Sequence, residues 1–359
     1  MVTMKRSTAE MVFLILFFPV VVGFYLIYKY PTWFVPEDQV VSTFYWFGKS
    51  TGFWYSTLYT FIVCFIAFSV FTSGKSPYEQ NRKKALSKYQ KWKFISIFLS
   101  QLIFFYFIPY MLPFLIKGGD FFSDQYAPVN KDAYVYIYNG FTSTGGFIYL
   151  FVIVPLTVWF FGKRYCSWFC ACGNLSETIG VTSWGNKWVT NLTPRGKISQ
   201  KLETLQYIFL LFAVCFGLLL FFDAWKIFTA GEILSSMRAG QDLVVDLIFG
   251  ALIGVGAYPL MGTRIWCRYA CPLAGSMRLF GKFSLSKFAV VANDNCKGLN
   301  LCSTQCPMGI DVASFAHQNG VPIEGSFSLN NSPCIGCGGC IDICPVKAIS
   351  FQKILGGKK

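Results

Sequence analysis

Apolar and polar positions fall in long blocks along this chain, not at the short periods of an amphipathic helix or a half-buried strand. Six apolar runs, at 11–28, 52–73, 94–116, 140–161, 205–225 and 242–261, are each near the ~20 residues a helix needs to cross a ~30 Å hydrocarbon layer. The first run passes into an aromatic stretch with no small-residue cleavage site, so it reads as a retained anchor and not as a signal peptide. Beyond the sixth run the pattern breaks up. The expected division is a six-helix membrane domain over 1–288 and a small domain over 289–359.

Composition sharpens this picture. Hydrophobic residues make up 54% and charged residues 13%, whereas a soluble domain carries about 25% charge; an ordinary soluble enzyme is excluded. Disorder is excluded as well, because 19% of the residues are aromatic. Of the 31 Lys and Arg, 25 fall in the start of the chain, 74–93, 162–204 and 262–359. The positive-inside rule then places both termini in the cytoplasm. The net charge of +14 reads as a topology signal and an attraction to anionic membrane lipid, with no nucleic-acid partner implied.

Candidate chemistry is concentrated in sulfur. The one histidine, His317, excludes a bis-histidine haem and reads as a packing or surface residue. No C-x-x-C-H, Walker loop or G-x-G-x-x-G fingerprint is present, which leaves c-type haem, ATP-driven transport and a Rossmann site without support. Seven of 14 cysteines lie between Cys296 and Cys344, and five more sit where apolar runs end. Dense C-x-x-C spacing in a large chain favours metal ligation over disulfides.

Two membrane-edge segments, 162–173 and 262–275, repeat one motif. Gly162-Lys-Arg-Tyr-Cys166-Ser-Trp-Phe-Cys170 parallels Gly262-Thr-Arg-Ile-Trp-Cys267-Arg-Tyr-Ala-Cys271. Cysteines four apart share a helix face, so the two pairs are expected to converge from neighbouring helices. Three roles stay open for them: a third iron–sulfur cluster, redox-active thiols, or packing of the membrane edge. Arg164, Arg264 and Arg268 are expected to favour the thiolate. Cys172, whose counterpart is Leu273, is a candidate alternative ligand.

The run Cys334-x-x-Cys337-x-x-Cys340-x-x-x-Cys344-Pro345 has the spacing that wraps a loop around a cubane cluster and sends its fourth cysteine to a second one. Gly336, Gly338 and Gly339 permit close backbone approach. An upstream half offers Cys296, Cys302 and Cys306-Pro307, with Leu299 where a cysteine is expected. By the crossover rule Cys334, Cys337, Cys340 and Cys306 hold a complete [4Fe–4S] cluster. Cys296, Cys302 and Cys344 hold a second cluster with three thiolates. It is then [3Fe–4S], or [4Fe–4S] with water or an oxygen of Asp294, Asn295 or Asn300 as the fourth ligand.

Paired C-x-x-x-C motifs at helix ends, followed by a two-cluster tail, resemble the membrane polyferredoxins. This family includes quinol-dehydrogenase subunits of periplasmic nitrate reduction (the NapH type), the electron-transfer half of nitrous-oxide reductase regulators, and cytochrome-oxidase assembly ferredoxins. The resemblance covers roughly 140–350 and rests on Cys166, Cys170, Cys267, Cys271-Pro272, Cys306-Pro307 and Cys334 through Pro345. Three features depart from it: Cys170-Ala171-Cys172 in place of a C-P, the missing eighth tail cysteine, and the lack of a flavin or sandwich domain. What remains is most like the NapH type.

The expected fold is a polytopic α-helical membrane protein, six helices with both termini inside, carrying an α+β bacterial-ferredoxin-like two-cluster domain. The resemblance implies a multi-pass protein of the bacterial cytoplasmic (inner) membrane with its ferredoxin domain on the cytoplasmic side. It would pass single electrons between a cytoplasmic or quinone/quinol partner and other redox subunits of a respiratory complex, as an electron-transfer subunit of an oxidoreductase. The alternatives are a metal reductase or maturation factor and a thiol-based redox sensor. Asp242 and Asp246, at the outer end of the last span, are candidates for proton handling.

Overall fold

The computed structural model of the chain describes residues 7–78, 84–112, 115, 144–186, 193–227, 231–256, 262–283 and 286–352. These are mostly helical. Five helices are long and apolar enough to cross a membrane: α1 (Thr8–Lys29), α2 (Thr51–Ser73), α3 (Lys88–Met111), α4 (Thr144–Trp168) and α5 (Lys197–Ala224). Serine side chains start the first three. Ser7, Ser50 and Ser87 accept the N–H groups of Glu10, Phe53 and Gln90, which satisfies donors that have no partner within the helix. α2 stops at Gly74, whose φ of 65° is the left-handed cap that glycine adopts without penalty. Large apolar side chains such as Ile15, Val20, Phe61 and Leu211 stay more than half exposed. A bare surface of that kind suits lipid and not water.

Five of the six expected spans thus have a counterpart. The sixth, 242–261, begins within α6, which runs as Gly231–Gly240 and then Gln241–Gly256. Its last residues lie outside the described ones, as do the end of the 94–116 span and the start of the 140–161 span.

After α6 come α7 (Ile265–Tyr269) and α8 (Pro272–Phe283), and then the tail: β1 (Val290–Ala292), α9 (Leu301–Gln305), β2 (Ser326–Phe327), α10 (Gly339–Ile343) and β3 (Ile349–Phe351). The three strands form one antiparallel sheet in the order β2-β1-β3, with Val290 opposite both Phe327 and Phe351. The tail is therefore α+β, and it is not merely tethered. One buried core runs from Val154, Val158 and Met277 in the membrane domain to Val290, Ile335 and Ile349 in the tail.

Candidate functional site

The two halves of the tail motif adopt one local structure, displaced by 38 residues. Gly298 and Gly336 have φ of 67° and 61°. Asn300 and Gly338 are left-handed N-caps of α9 and α10. Cys306 and Cys344 end those helices at φ/ψ of −69/114° and −68/112°, and Gly309 and Lys347 follow with positive φ. This register puts Leu299 at the counterpart of Cys337.

Cys306, Cys334, Cys337 and Cys340 line one narrow cavity that Cys296, Cys302 and Cys344 do not line. Cys302 has Cys344 and Cys296 among its charge neighbours. Backbone N–H groups point at the sulfurs: Gly336 N donates to Cys334 Sγ at 3.4 Å and Ala348 N to Cys344 Sγ at 3.3 Å. Among the described residues no three Cys, His, Asp or Glu side chains converge on a point as around a single metal ion. The donor set fits a cluster. Four thiols surround a shared space, and glycines at 336 and 338 keep the loop bare. Burial pushes the Cys302 thiol up to about 11 and the Cys337 thiol up to about 12, so the free thiols are protonated and loading with iron releases their protons.

The complete half faces the membrane domain. Tyr89 Oη donates to Gly336 O, Gln90 Nε2 and Lys93 Nζ donate to Cys337 O at 3.1 and 3.2 Å, and Ser167 Oγ donates to Ile335 O at 2.8 Å. A side chain at 336 would strike Arg164, and one at 338 would strike the Tyr89 ring, each at 2.7 Å.

The membrane-edge repeat is real in geometry, but its form corrects the expectation. The paired cysteines do not lie on one continuous helix. The chain breaks at Phe169 (φ −131°) and at Ala270 (φ −130°). The Cys170 and Cys271 N–H groups reach back five residues, to Tyr165 O and Trp266 O at 3.0 and 2.9 Å. Each second cysteine then opens a new helix, as shown by Asn174 N to Cys170 O and Gly275 N to Cys271 O. Four-residue spacing alone cannot reveal such a break. Cys166, Cys170, Cys267 and Cys271 still come together as mutual charge neighbours. The neighbouring Cys172 holds the Cys170 thiol down, at about 7.

The arginines divide in a way the sequence did not suggest. Arg264 alone reaches this group, with Nη1 3.8 Å from Cys267 Sγ and 2.7 Å from Cys166 O. Arg164 lies over the rings of Phe351, Phe288 and Tyr89 at 4.4–5.5 Å. Arg268 pairs with Glu203 at 2.7 Å. Lys163 is fully buried beside Cys166, Cys267 and Cys271, and among the described residues its ammonium has no hydrogen-bond acceptor. A buried cation left in this state fits a site that takes a negatively charged group.

Sequence reasoning missed Glu177. It is wholly buried and bridges Lys93, at 2.7 Å, and Arg264. Burial would raise its pKa, but the two cations hold the carboxyl below the ordinary range. The signal was available: Glu177 is the only acid between Asp132 and Glu203. A cavity of about 210 Å³ also escaped notice. It runs from Cys172 and Cys267, past Tyr28, Tyr55 and Tyr59, to the Lys29–Asp246 ion pair, which closes at 2.5 Å. Asp242 lies outside it; its carbonyl accepts from Tyr30 Oη at 2.9 Å. His317 packs against Gly298.

Comparison with known proteins meets these sites. A 4Fe-4S binding domain family matches residues 328–350, and a second family of the same description matches 144–190 and 243–290. The second therefore covers both membrane-edge motifs. Similar proteins include an uncharacterized protein of Methanocaldococcus jannaschii, 26% identical over 56% of this chain. YccM of Escherichia coli, provisionally named an electron transport protein, is 28% identical over 58%. The ferredoxin-type protein NapH of Haemophilus influenzae is 24% identical over 53%. The alignments span 69%, 56% and 62% of these relatives, so less than two thirds of YccM and NapH is matched. No solved structure matches. Helices long and apolar enough to cross a membrane, together with matches to 4Fe-4S binding domains, support a multi-pass membrane protein that holds iron–sulfur clusters. The 4Fe-4S matches and the likeness to NapH and YccM support a resemblance to the membrane polyferredoxins of the NapH type.

Proposed function

We propose that the protein carries single electrons between a quinol-level partner in the membrane and another redox subunit, with the tail on the cytoplasmic side of a bacterial inner membrane. Cys334, Cys337, Cys340 and Cys306 hold one [4Fe–4S] cluster. Cys296, Cys302 and Cys344 hold a second, and Cys166, Cys170, Cys267 and Cys271 hold a third, with Cys172 beside Cys170. When bound, such clusters supply one-electron chemistry at potentials tuned by charge, hydrogen bonds and exposure.

The observation that carries this reading is the seam at Ser167. Its hydroxyl bonds Ile335 O at 2.8 Å, and its chain neighbour is Cys166 as that of Ile335 is Cys334. One hydrogen bond thus links the membrane-edge thiols to the tail thiols. The chain's own residues exclude water there: Ser167, Lys163 and Glu177 are fully buried. Lys163, Lys93 and Arg264 add positive charge where thiolates gather.

The aromatic cavity supports the quinol partner. Its lining includes the membrane-edge residues Cys172 and Cys267 and the Asp246 carboxylate, and its volume of about 210 Å³ is on the scale of one substituted ring. Iron and sulfide analysis with EPR, oxidised and reduced, tests the whole. About twelve irons per chain are expected from three four-iron sites, reduced by a quinol analogue. Iron-free protein from an anaerobic preparation, or full clusters that no quinol reduces, would overturn it.

A further inference from the structure

The two tail halves are alike in backbone and opposite in surroundings. Residues 332–336 of the complete half are buried beneath Tyr89, Gln90 and Arg164. In the other half the loop is open: Asp294, Asn295 and residues 297–300 are exposed and Cys296 is partly covered, while Cys302 and Cys306 are buried. Leu299 occupies the place of Cys337 and is 56% exposed.

The shared geometry also shows where neighbouring side chains point. A Cβ at Gly338 would meet Tyr89 and one at Gly336 would meet Arg164, both on the outer side of the loop, away from the thiol-lined cavity. Their counterparts are Asn300 and Gly298. The Asn300 side chain therefore leaves on the outer side, and His317 covers the outer side too, since its ring lies 3.2–3.3 Å from a Cβ built on Gly298. Asp294 and Asn295 precede the first thiol and are exposed; Asn295 N donates to Asn293 Oδ1 at 3.1 Å.

We infer that the second tail cluster, on the assignment proposed above, is a four-iron cluster whose corner at Leu299 is ligated by no side chain and opens to solvent, where it exchanges small donors. With a cluster held by Cys296, Cys302 and Cys344, that corner would be filled by water or hydroxide from solvent, and a thiolate or cyanide would replace it. The complete cluster, ringed by Cys306, Cys334, Cys337 and Cys340, has no such position. Ligand exchange at this corner changes no oxidation state.

The test uses the full-length, cluster-loaded protein in detergent. Cyanide or 2-mercaptoethanol is added to the reduced protein while the EPR spectrum is followed. One cluster signal is expected to shift and the others to hold. In Leu299→Cys the shift is lost, because a fourth thiolate fills the corner. Wild-type protein read alone keeps the test decisive if that variant does not fold. Iron analysis showing about four fewer irons than three cubanes would remove the second cluster itself, and the inference with it. A second cluster that is present but deaf to both probes, or a three-iron cluster that takes up no ferrous iron on reduction, would overturn the open corner and leave the cluster assignment standing.

Discussion

Replacing Glu177 with glutamine keeps the shape of the side chain and deletes the one negative charge between two buried cations. Glu177 Oε2 is 2.7 Å from Lys93 Nζ, Oε1 accepts from Arg264 Nη2, and all three side chains are fully buried. Removing one partner from a buried ion pair costs about 3–5 kcal/mol, because the charge left behind has neither water nor counter-ion. Both cations also serve the seam. Lys93 donates to Cys337 O at 3.2 Å and Arg264 to Cys166 O at 2.7 Å, so any escape toward water pulls on the tail loop and on the membrane-edge thiols together. The loss should appear as undocking of the tail, with the helices intact. At 3 kcal/mol the docking equilibrium moves by about 100-fold. Limited proteolysis of the detergent-solubilised protein, read alongside its visible absorption, measures this: the 334–340 loop becomes cleavable and the colour bleaches sooner in air. Adding Lys93→Met removes one orphaned cation and is expected to restore part of the protection. Wild-type protection and wild-type colour in Glu177→Gln would refute the argument.

Other consequences can be measured independently. Asp246→Asn should slow quinol-dependent reduction by about 100-fold, the scale of a lost proton acceptor, while dithionite still gives the wild-type EPR spectrum; equal slowing with both reductants would place the effect elsewhere. Gly338→Ala should loosen the tail by at least about 1 kcal/mol, since its φ is 76° and the new methyl meets the Tyr89 ring; an unchanged melting temperature would contradict this. Because the folded Glu177 carboxyl is held below its ordinary value of 4.5, its contribution is whole above that value and is lost as the pH falls further. Tail protection should therefore be flat from pH 8 to about 5 and decline below that range, and the decline from this group should vanish in Glu177→Gln. Chelating iron from the reduced protein near pH 8 should take up protons, as thiols that burial raises to about 11 and 12 recover them; a pH indicator reads the uptake.

Much of this was legible in the chain. Block hydropathy located five spans to within a few residues at most described ends, because burial in lipid needs only length and apolarity. The cysteine grouping was legible for a similar reason: ligand spacing is local. The break at Phe169 and Ala270 was not, because four residues separate two cysteines equally in a helix and across a kink. The division of the arginines was hidden too. Arg164 and Arg264 each lie two residues after the glycine that opens their copy, yet one covers the tail and the other serves Glu177, and only packing between distant segments decides which. The same applies to Lys29 and Asp246, 217 residues apart.

Two duplications of different size meet at the seam, and each is asymmetric in the same sense. In the tail, the loop of the complete half lies under Tyr89 and Arg164 and carries Cys337, while residues 297–300 of the other half are exposed and carry Leu299 in its place. At the membrane edge, the first copy supplies Ser167, the bond to the tail, and the second supplies Arg264, the bond to Glu177. Duplication provides equivalent thiol pairs cheaply in sequence terms, but a path for electrons needs two unlike ends. The divergence falls at the positions that distinguish them: Leu299 against Cys337, Leu273 against Cys172 and Tyr269 against Trp168. If these differences set direction, restoring symmetry with Leu299→Cys should leave the seam and its protection unchanged while lowering the potential of the outer cluster, since a fourth thiolate adds negative charge. A potential that does not move would mean that the outer half differs for packing alone.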